Sequence, residues 1–213
     1  MADERDRTVE DWAQPGDPFR LVAVAVESAE WEPRLPPEVR EIPARFTDAR
    51  ARARAGASEW LKACWLPREL GLAQVEWIRG ANGKPLLAGA GGHWGFNLSH
   101  AGPVAVAVLA EGVSVGVDVE ATDRAADIRR LAQRVFSESE QEQVKEGGRE
   151  AFFRLWSQKE ALLKALGCGW ADGNIQRRTR LACASYQREP ATGARIWCRP
   201  VLGGSHVLAV AMI

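Results

Sequence analysis

The chain has 213 residues, 46% of them hydrophobic, enough to bury a core as one domain or two small ones. Lysine and arginine (28) balance aspartate and glutamate (28), so the zero net charge gives no basis for non-specific binding to nucleic acid or a membrane surface. No apolar run approaches the roughly 20 residues of a membrane span. The chain starts with Asp3, Glu4 and Arg5 rather than a signal-peptide core. Cys64, Cys168, Cys183 and Cys198 are widely spaced without a CxxC pair, which predicts reduced thiols and a cytoplasmic protein.

Residues 1–18 are polar, contain Pro15, Gly16 and Pro18, and are expected to form a flexible arm. Leu21 to Val26 reads as a short buried strand, ended by Pro33, Pro36 and Pro37. Glu38 to Leu66 reads as helix, rich in alanine and arginine with no proline between Pro43 and Pro67. Arg34, Arg40, Arg45, Arg50, Arg52 and Arg54 crowd this part of the chain, a candidate anion site. Val75 to Ile78 is a further strand, and Asn82-Gly83 before Lys84-Pro85 a turn. Val104 to Leu109 and Val113 to Val119 are valine-rich runs around Glu111-Gly112, the pattern of a β-hairpin. Ile128 to Leu166 reads as mostly helical with a break at Gly147-Gly148. Strands are expected at Arg180–Ala184, Ala194–Cys198 and Val207–Ile213. The sequence of elements predicts an α+β fold of two halves, 19–117 and 118–213.

Three stretches carry ionisable residues where a plain core element would not. Along Val115-Gly-Val-Asp-Val-Glu120 side chains alternate, so Ser114, Gly116, Asp118 and Glu120 share one face, with the two carboxylates ~6–7 Å apart at their backbones. Like charges this close favour a bridging cation or a shared proton. A strand end reaching solvent would explain a lone D-x-E, but Gly116 is expected to leave open space beside the pair for a ligand. On the helix 151–166, Phe152, Leu155, Trp156, Leu162, Leu163 and Leu166 form an apolar arc. Lys159 falls inside it, Glu160 between Trp156 and Phe153, and Lys164 at its margin. An exposed Glu160–Lys164 pair with Lys159 snorkelling is the plain alternative; inward placement of charge argues against it.

Phe96-Asn-Leu-Ser-His100 reads as a strand ending at Ser99 and His100. Adjacent strand residues point to opposite faces, so these two are no nucleophilic pair, and phosphate contact or a solvated loop suits them better. Asp118, Glu120 and Glu160 are hard oxygen donors without neighbouring histidine or cysteine, which favours Mg²⁺ or Mn²⁺ completed by water and substrate phosphate over zinc.

Taken in order, Gly83-Lys-Pro85, Phe96 to His100, Val115 to Glu120 and Trp156 to Gly167 resemble the signature set of the Sfp-type 4′-phosphopantetheinyl transferases, and Arg134 to Glu140 resembles a family stretch between the last two. The resemblance implies a pseudo-twofold arrangement of two α+β halves with the active site between them. It implies transfer of 4′-phosphopantetheine from coenzyme A to a serine of an apo acyl, peptidyl or polyketide carrier protein, releasing adenosine 3′,5′-bisphosphate. Carried over by position, Asp118, Glu120 and Glu160 would hold Mg²⁺ on the diphosphate, with Glu160 also helping to deprotonate the serine. Lys164 and Lys159 would neutralise diphosphate oxygens. Lys84, Ser99 and His100 would contact coenzyme A phosphates, with Arg40, Arg45 and Arg54 as further candidates. Ala101 stands where the family often has serine. Single-half members of the superfamily oligomerise to complete a site, so a two-half chain is expected to act as a monomer. The competing readings are a non-catalytic coenzyme A-binding protein of the same fold and a scaffold within a biosynthetic assembly.

Overall fold

A computed structural model describes residues 9–27, 31–169 and 178–213. The fold is α+β, and the chain divides into two compact units, Met1–Ile78 with Pro85–Gly112, and Arg79–Lys84 with Val113–Ile213. The division thus falls after Gly112, and the Asn82-Gly83 turn belongs with the second unit.

In the first unit, strands β1 (Val9–Asp11), β2 (Arg20–Ala25), β5 (Trp94–Ala101) and β6 (Val104–Glu111) form an antiparallel sheet in the order β1-β2-β6-β5. The β1 strand lies within the stretch expected to be a flexible arm. Even a polar segment gains when its backbone groups pair with an open sheet edge, here Val9–Asp11 with Val22–Val24. Residues 1–8 lie outside the described residues. β3 (Glu76–Arg79) and β4 (Pro85–Ala88) make a separate two-stranded ribbon.

Helices α1 (Trp31–Arg34), α2 (Glu41–Ala44), α3 (Ala49–Trp60) and α4 (Leu66–Leu70) occupy the intervening chain. Trp31, Ala57, Trp60 and Leu61 pack with Val22, Val24, Phe96, Ala105, Ala107 and Leu109 in one core. The single helix read over Glu38–Leu66 is interrupted at Arg45–Asp48, because the Asp48 side chain accepts the Ala51 N–H at 2.7 Å and caps a new helix. Leu61–Trp65 then forms a π-helical turn into α4.

In the second unit, β7 (Val115–Ala121), β8 (Tyr186–Arg188), β9 (Arg195–Val201) and β10 (His206–Met212) form an antiparallel sheet in the order β7-β10-β9-β8. Helices α5 (Ile128–Val135) and α6 (Glu138–Leu166) accompany it. Ser137 and Glu140 form a capping box that starts α6, and Gly167 ends it at φ 69°. The expected break is real: Gly148 sits at φ 60°, ψ −137° and kinks α6. Phe152, Phe153, Leu155, Leu162 and Ala165 of this helix pack with Ile196, Cys198, Val207, Ala209 and Ala211 of the sheet.

Two expectations are corrected here. The valine runs around Glu111-Gly112 are not a hairpin: β6 pairs with β2 and β5, whereas β7 pairs with β10. Gly112 at φ 69° turns the chain out of one sheet, and Ser114 exchanges backbone hydrogen bonds with Ile213 to enter the other. The true hairpin is β5–β6, turning at Gly102 (φ 52°) and Pro103. Arg180–Ala184 is not a strand either, since side chains take its backbone donors. Leu181 N–H goes to Glu140, Ala182 N–H to Gln187 and Cys183 N–H to Gln143.

Candidate functional site

A group of interacting charged residues lies where α6 crosses β7. Gly116 sets that crossing. A Cβ built there would stand 2.1 Å from Ala161 O, 2.5 Å from Ala165 N and 2.9 Å from Lys164 Cβ. The open space expected beside the carboxylates is therefore filled by helix backbone, and the glycine serves close approach rather than ligand access. Two residues along the same face, Asp118 meets Lys164 at 2.8 Å, with side chains 6% and 28% exposed. Lys164 Nζ also donates to Val117 O at 3.0 Å.

Glu120, two residues further, accepts the Trp156 indole N–H at 3.0 Å and lies 3.5 Å from the Arg124 guanidinium. Burial pushes its carboxyl up to about 7. The charges of Asp118 and Glu160 add to that rise, while Arg124 and the Trp156 bond oppose it. Asp118 and Glu160 are thus both within electrostatic reach of Glu120, on one strand and one helix, as the alternation and the helical spacing predict. Among the described residues no three His, Cys, Asp or Glu side chains converge tightly enough to hold a metal alone.

Lys159 is placed differently. It is fully buried, 3.1 Å from Glu140 Oε1, and donates to Thr179 Oγ1 at 3.1 Å. Burial pushes its ammonium pKa down and Glu140 holds it up. The structure does not gather Lys159 with the three carboxylates; it pairs inward while Glu160, its neighbour, feels Glu120.

Lys84 donates to Ser114 Oγ (3.3 Å), Val115 O (3.1 Å) and Ala165 O (3.4 Å), matching the three protons of an ammonium. Ser114 Oγ donates to the same Ala165 carbonyl at 2.5 Å, and Asn82 Nδ2 donates to Gly167 O at 3.0 Å. The Asn82–Lys84 turn therefore caps the C-terminal end of α6, where helix carbonyls lack partners and cations are favoured. Burial pulls the Lys84 ammonium down to about 8.

In the first unit His100 shares a strand face with Phe96 and Leu98, which pack in the α3 core, and is itself exposed beyond them. Just past it, Gly102 and Pro103 line a cavity of about 300 Å³ with Arg50, Arg54, Val26 and Glu27. Arg54 is thus near the turn that follows His100, and Arg50, one helical turn earlier on α3, joins it. Arg45 is exposed, and Arg40 donates to Leu35 O (2.6 Å) and Pro33 O (3.2 Å), fastening its own segment. Ser99 lies opposite Val106 on the other face of β5 from His100.

Sequence reasoning named Arg50 only within the arginine-rich candidate anion site and passed over Arg124 and Glu140 as site residues. Arg50 stands out as the i−4 neighbour of Arg54; the pairing of Glu140 with Lys159 had no local signal. None of the four cysteines forms a disulfide, and no helix among the described residues is long and apolar enough to cross a membrane.

Comparison with known proteins meets this geometry. Residues 114–210, which contain Asp118, Glu120, Glu160 and Lys164, match the 4′-phosphopantetheinyl transferase superfamily. The chain is 33% identical over 115 residues to the 4′-phosphopantetheinyl transferase AcpT of Salmonella typhimurium, covering 50% of this chain and 59% of that protein. It is 33% identical over 124 residues to the 4′-phosphopantetheinyl transferase HetI of Nostoc sp., covering 55% and 50%. It is also 33% identical over 123 residues to the L-aminoadipate-semialdehyde dehydrogenase-phosphopantetheinyl transferase of Xenopus laevis, covering 49% and 40%. The match spans about half the length of these curated relatives. The resemblance read from the motifs stands.

Proposed function

We propose that this chain, whose residues 114–210 fall in the 4′-phosphopantetheinyl transferase superfamily, moves 4′-phosphopantetheine from coenzyme A to a serine of an apo acyl, peptidyl or polyketide carrier protein. The observation that carries the reading is the β7–α6 crossing, where Asp118, Glu120, Glu160 and Lys164 interact through space rather than sit as isolated surface charges. The serine oxygen would attack the phosphorus bearing the pantetheine arm. The bond to the departing adenosine 3′,5′-bisphosphate would break, and the serine proton would pass to Glu160 directly or through a water.

The donor set suits Mg²⁺, or Mn²⁺, which takes one or two carboxylates and completes its shell with water and phosphate oxygens. Asp118, Glu120 and Glu160 would hold the ion, which would neutralise developing charge on the diphosphate. A cation there would also offset the burial that raises Glu120 and the repulsion from Asp118 and Glu160 that adds to it. Lys164, through its pair with Asp118, keeps positive charge beside the carboxylates. Ser99, His100 and Arg54, with Arg50 beside it, are the groups proposed for coenzyme A phosphates. Lys84 would join them by exchanging its 3.4 Å bond to Ala165 O for a phosphate oxygen. Because one chain carries both sets, a monomer is expected to suffice.

Incubation with coenzyme A, Mg²⁺ and an apo carrier protein, read by intact mass, tests this. The carrier is expected to gain one phosphopantetheine. A carrier of unchanged mass beside a protein that still binds coenzyme A would favour the non-catalytic reading.

A further inference from the structure

Lys159 and Glu140 form an ion pair that is 1% and 0% exposed, within one helix but on opposite sides of its kink. Glu140 lies in the first turn of α6, ahead of Gly148, and Lys159 three turns beyond it. The same carboxylate accepts the Ser137 N–H through Oε2 and the Leu181 N–H through Oε1, both at 2.8 Å. Lys159 adds Thr179, through its hydroxyl at 3.1 Å and its carbonyl at 3.4 Å. Three pieces of chain therefore meet on two charges: the start of α6, residues 179–181, and the turn of α6 that carries Glu160.

Apolar residues of the same volume would fill such a core at least as stably, because taking two charges out of water offsets most of their attraction. What they would not supply is direction. Leucine or methionine tolerates a slide between segments; an ammonium held by a carboxylate, a hydroxyl and a carbonyl does not. A kinked helix needs such a constraint, since the hydrogen-bond ladder that would keep its two segments in line is interrupted at Gly148.

We propose that the Lys159–Glu140 pair is a positioning strut, fixing the turn that bears Glu160 against the start of α6 and residues 179–181, and that Lys159 does not touch the diphosphate. The functional half of this rests on the transfer reading; the strut itself rests on the geometry. The test is a cycle of Lys159→Met, Glu140→Gln and the double variant in the full chain. Either single change takes from a buried charge its partner at 3.1 Å, so each is expected to lower the unfolding midpoint by roughly 5–15 °C, and the double to recover at least half of the larger loss.

At a temperature where all four proteins are folded, Lys159→Met is expected to lose about 100-fold in kcat, the effect of a misplaced catalytic group, with the KM for coenzyme A unchanged. The double variant should regain at least ten-fold of that. A raised KM for coenzyme A with no recovery in the double variant would mean that Lys159 binds the cofactor. Midpoint losses that simply add would remove the strut, and wild-type kcat in folded Lys159→Met would remove the positioning role. If the wild type transfers nothing, the transfer reading fails and the role toward Glu160 fails with it, while the unfolding cycle still decides the strut.

Discussion

Replacing Gly116 by alanine adds one methyl group where α6 leaves no room for it. The backbone at this position is not in the left-handed region, so the cost is space alone. The new Cβ would stand 2.1 Å from Ala161 O, and ordinary contact begins near 3.4 Å, so strand and helix must separate by 1.3 Å at that point. The opposing atoms are helix backbone and the first atom of a side chain, not the flexible end of one, so the whole turn moves. Overpacking of this kind costs about 1–3 kcal/mol. At roughly 2–4 °C per kcal/mol for a chain of this size, the unfolding midpoint should fall by about 2–12 °C. The same shift loosens the 2.8 Å Asp118–Lys164 pair and carries Glu160 with it. A displacement near 1 Å at reacting groups can cost on the order of 100-fold in rate. The assays are thermal unfolding and carrier modification by intact mass at a temperature where the variant is folded. Gly169→Ala is the control, because among the described residues nothing lies within 4 Å of its added Cβ. A Gly116→Ala protein with the midpoint and turnover of that control would refute the tight crossing and its link to the site.

Asp118→Asn should keep the fold and lower turnover by orders of magnitude, and excess EDTA should abolish it; full activity in EDTA would remove the metal from the reading. His100→Ala should raise the KM for coenzyme A more than it lowers kcat, and equal use of dephospho-coenzyme A and coenzyme A by the wild type would deny a contact to the 3′-phosphate. Lys84 supplies a pH test. Its folded-state pKa of about 8 lies below its ordinary 10.5, so the folded protein binds fewer protons between those values; its contribution is fully present above 10.5 and lost as pH falls through 8. Urea midpoints at pH 7.5 and 10 should show the wild type gaining on Lys84→Met as pH rises, and a constant difference would contradict the buried cap. Sedimentation at assay concentration should give an active monomer.

The residues that carry chemistry were legible because they broke a local pattern. Asp118 and Glu120 put two carboxylates on one face of a valine-rich strand, and Lys159 and Glu160 sit in an apolar arc. What each of them meets was not legible. Lys159 finds Glu140 on the far side of a kink, a distance no helical periodicity spans. The valines of β6 and β7 gave the right element type and the wrong pairing. All of Val104–Ala110 is buried, so neither face marks a partner, and β7 finds its neighbour in β10 about ninety residues on, at roughly 3 kcal/mol more loop entropy than a short turn. Gly116 was read as vacancy because a glycine signals absence of a side chain and says nothing of what fills the gap.

The stitching of residues 181–183 has a consequence for hydrogen exchange. In a sheet, a slow amide reports the ladder that holds it. Here the N–H groups of Leu181, Ala182 and Cys183 are held by the side chains of Glu140, Gln187 and Gln143, and among the described residues no strand pairs with them. Glu140 and Gln143 both stand on the segment of α6 before its kink. The amides of Leu181 and Cys183 should therefore exchange in step with that helical segment. Neither helix nor strand itself, this stretch should behave in deuterium as part of a helix it never joins.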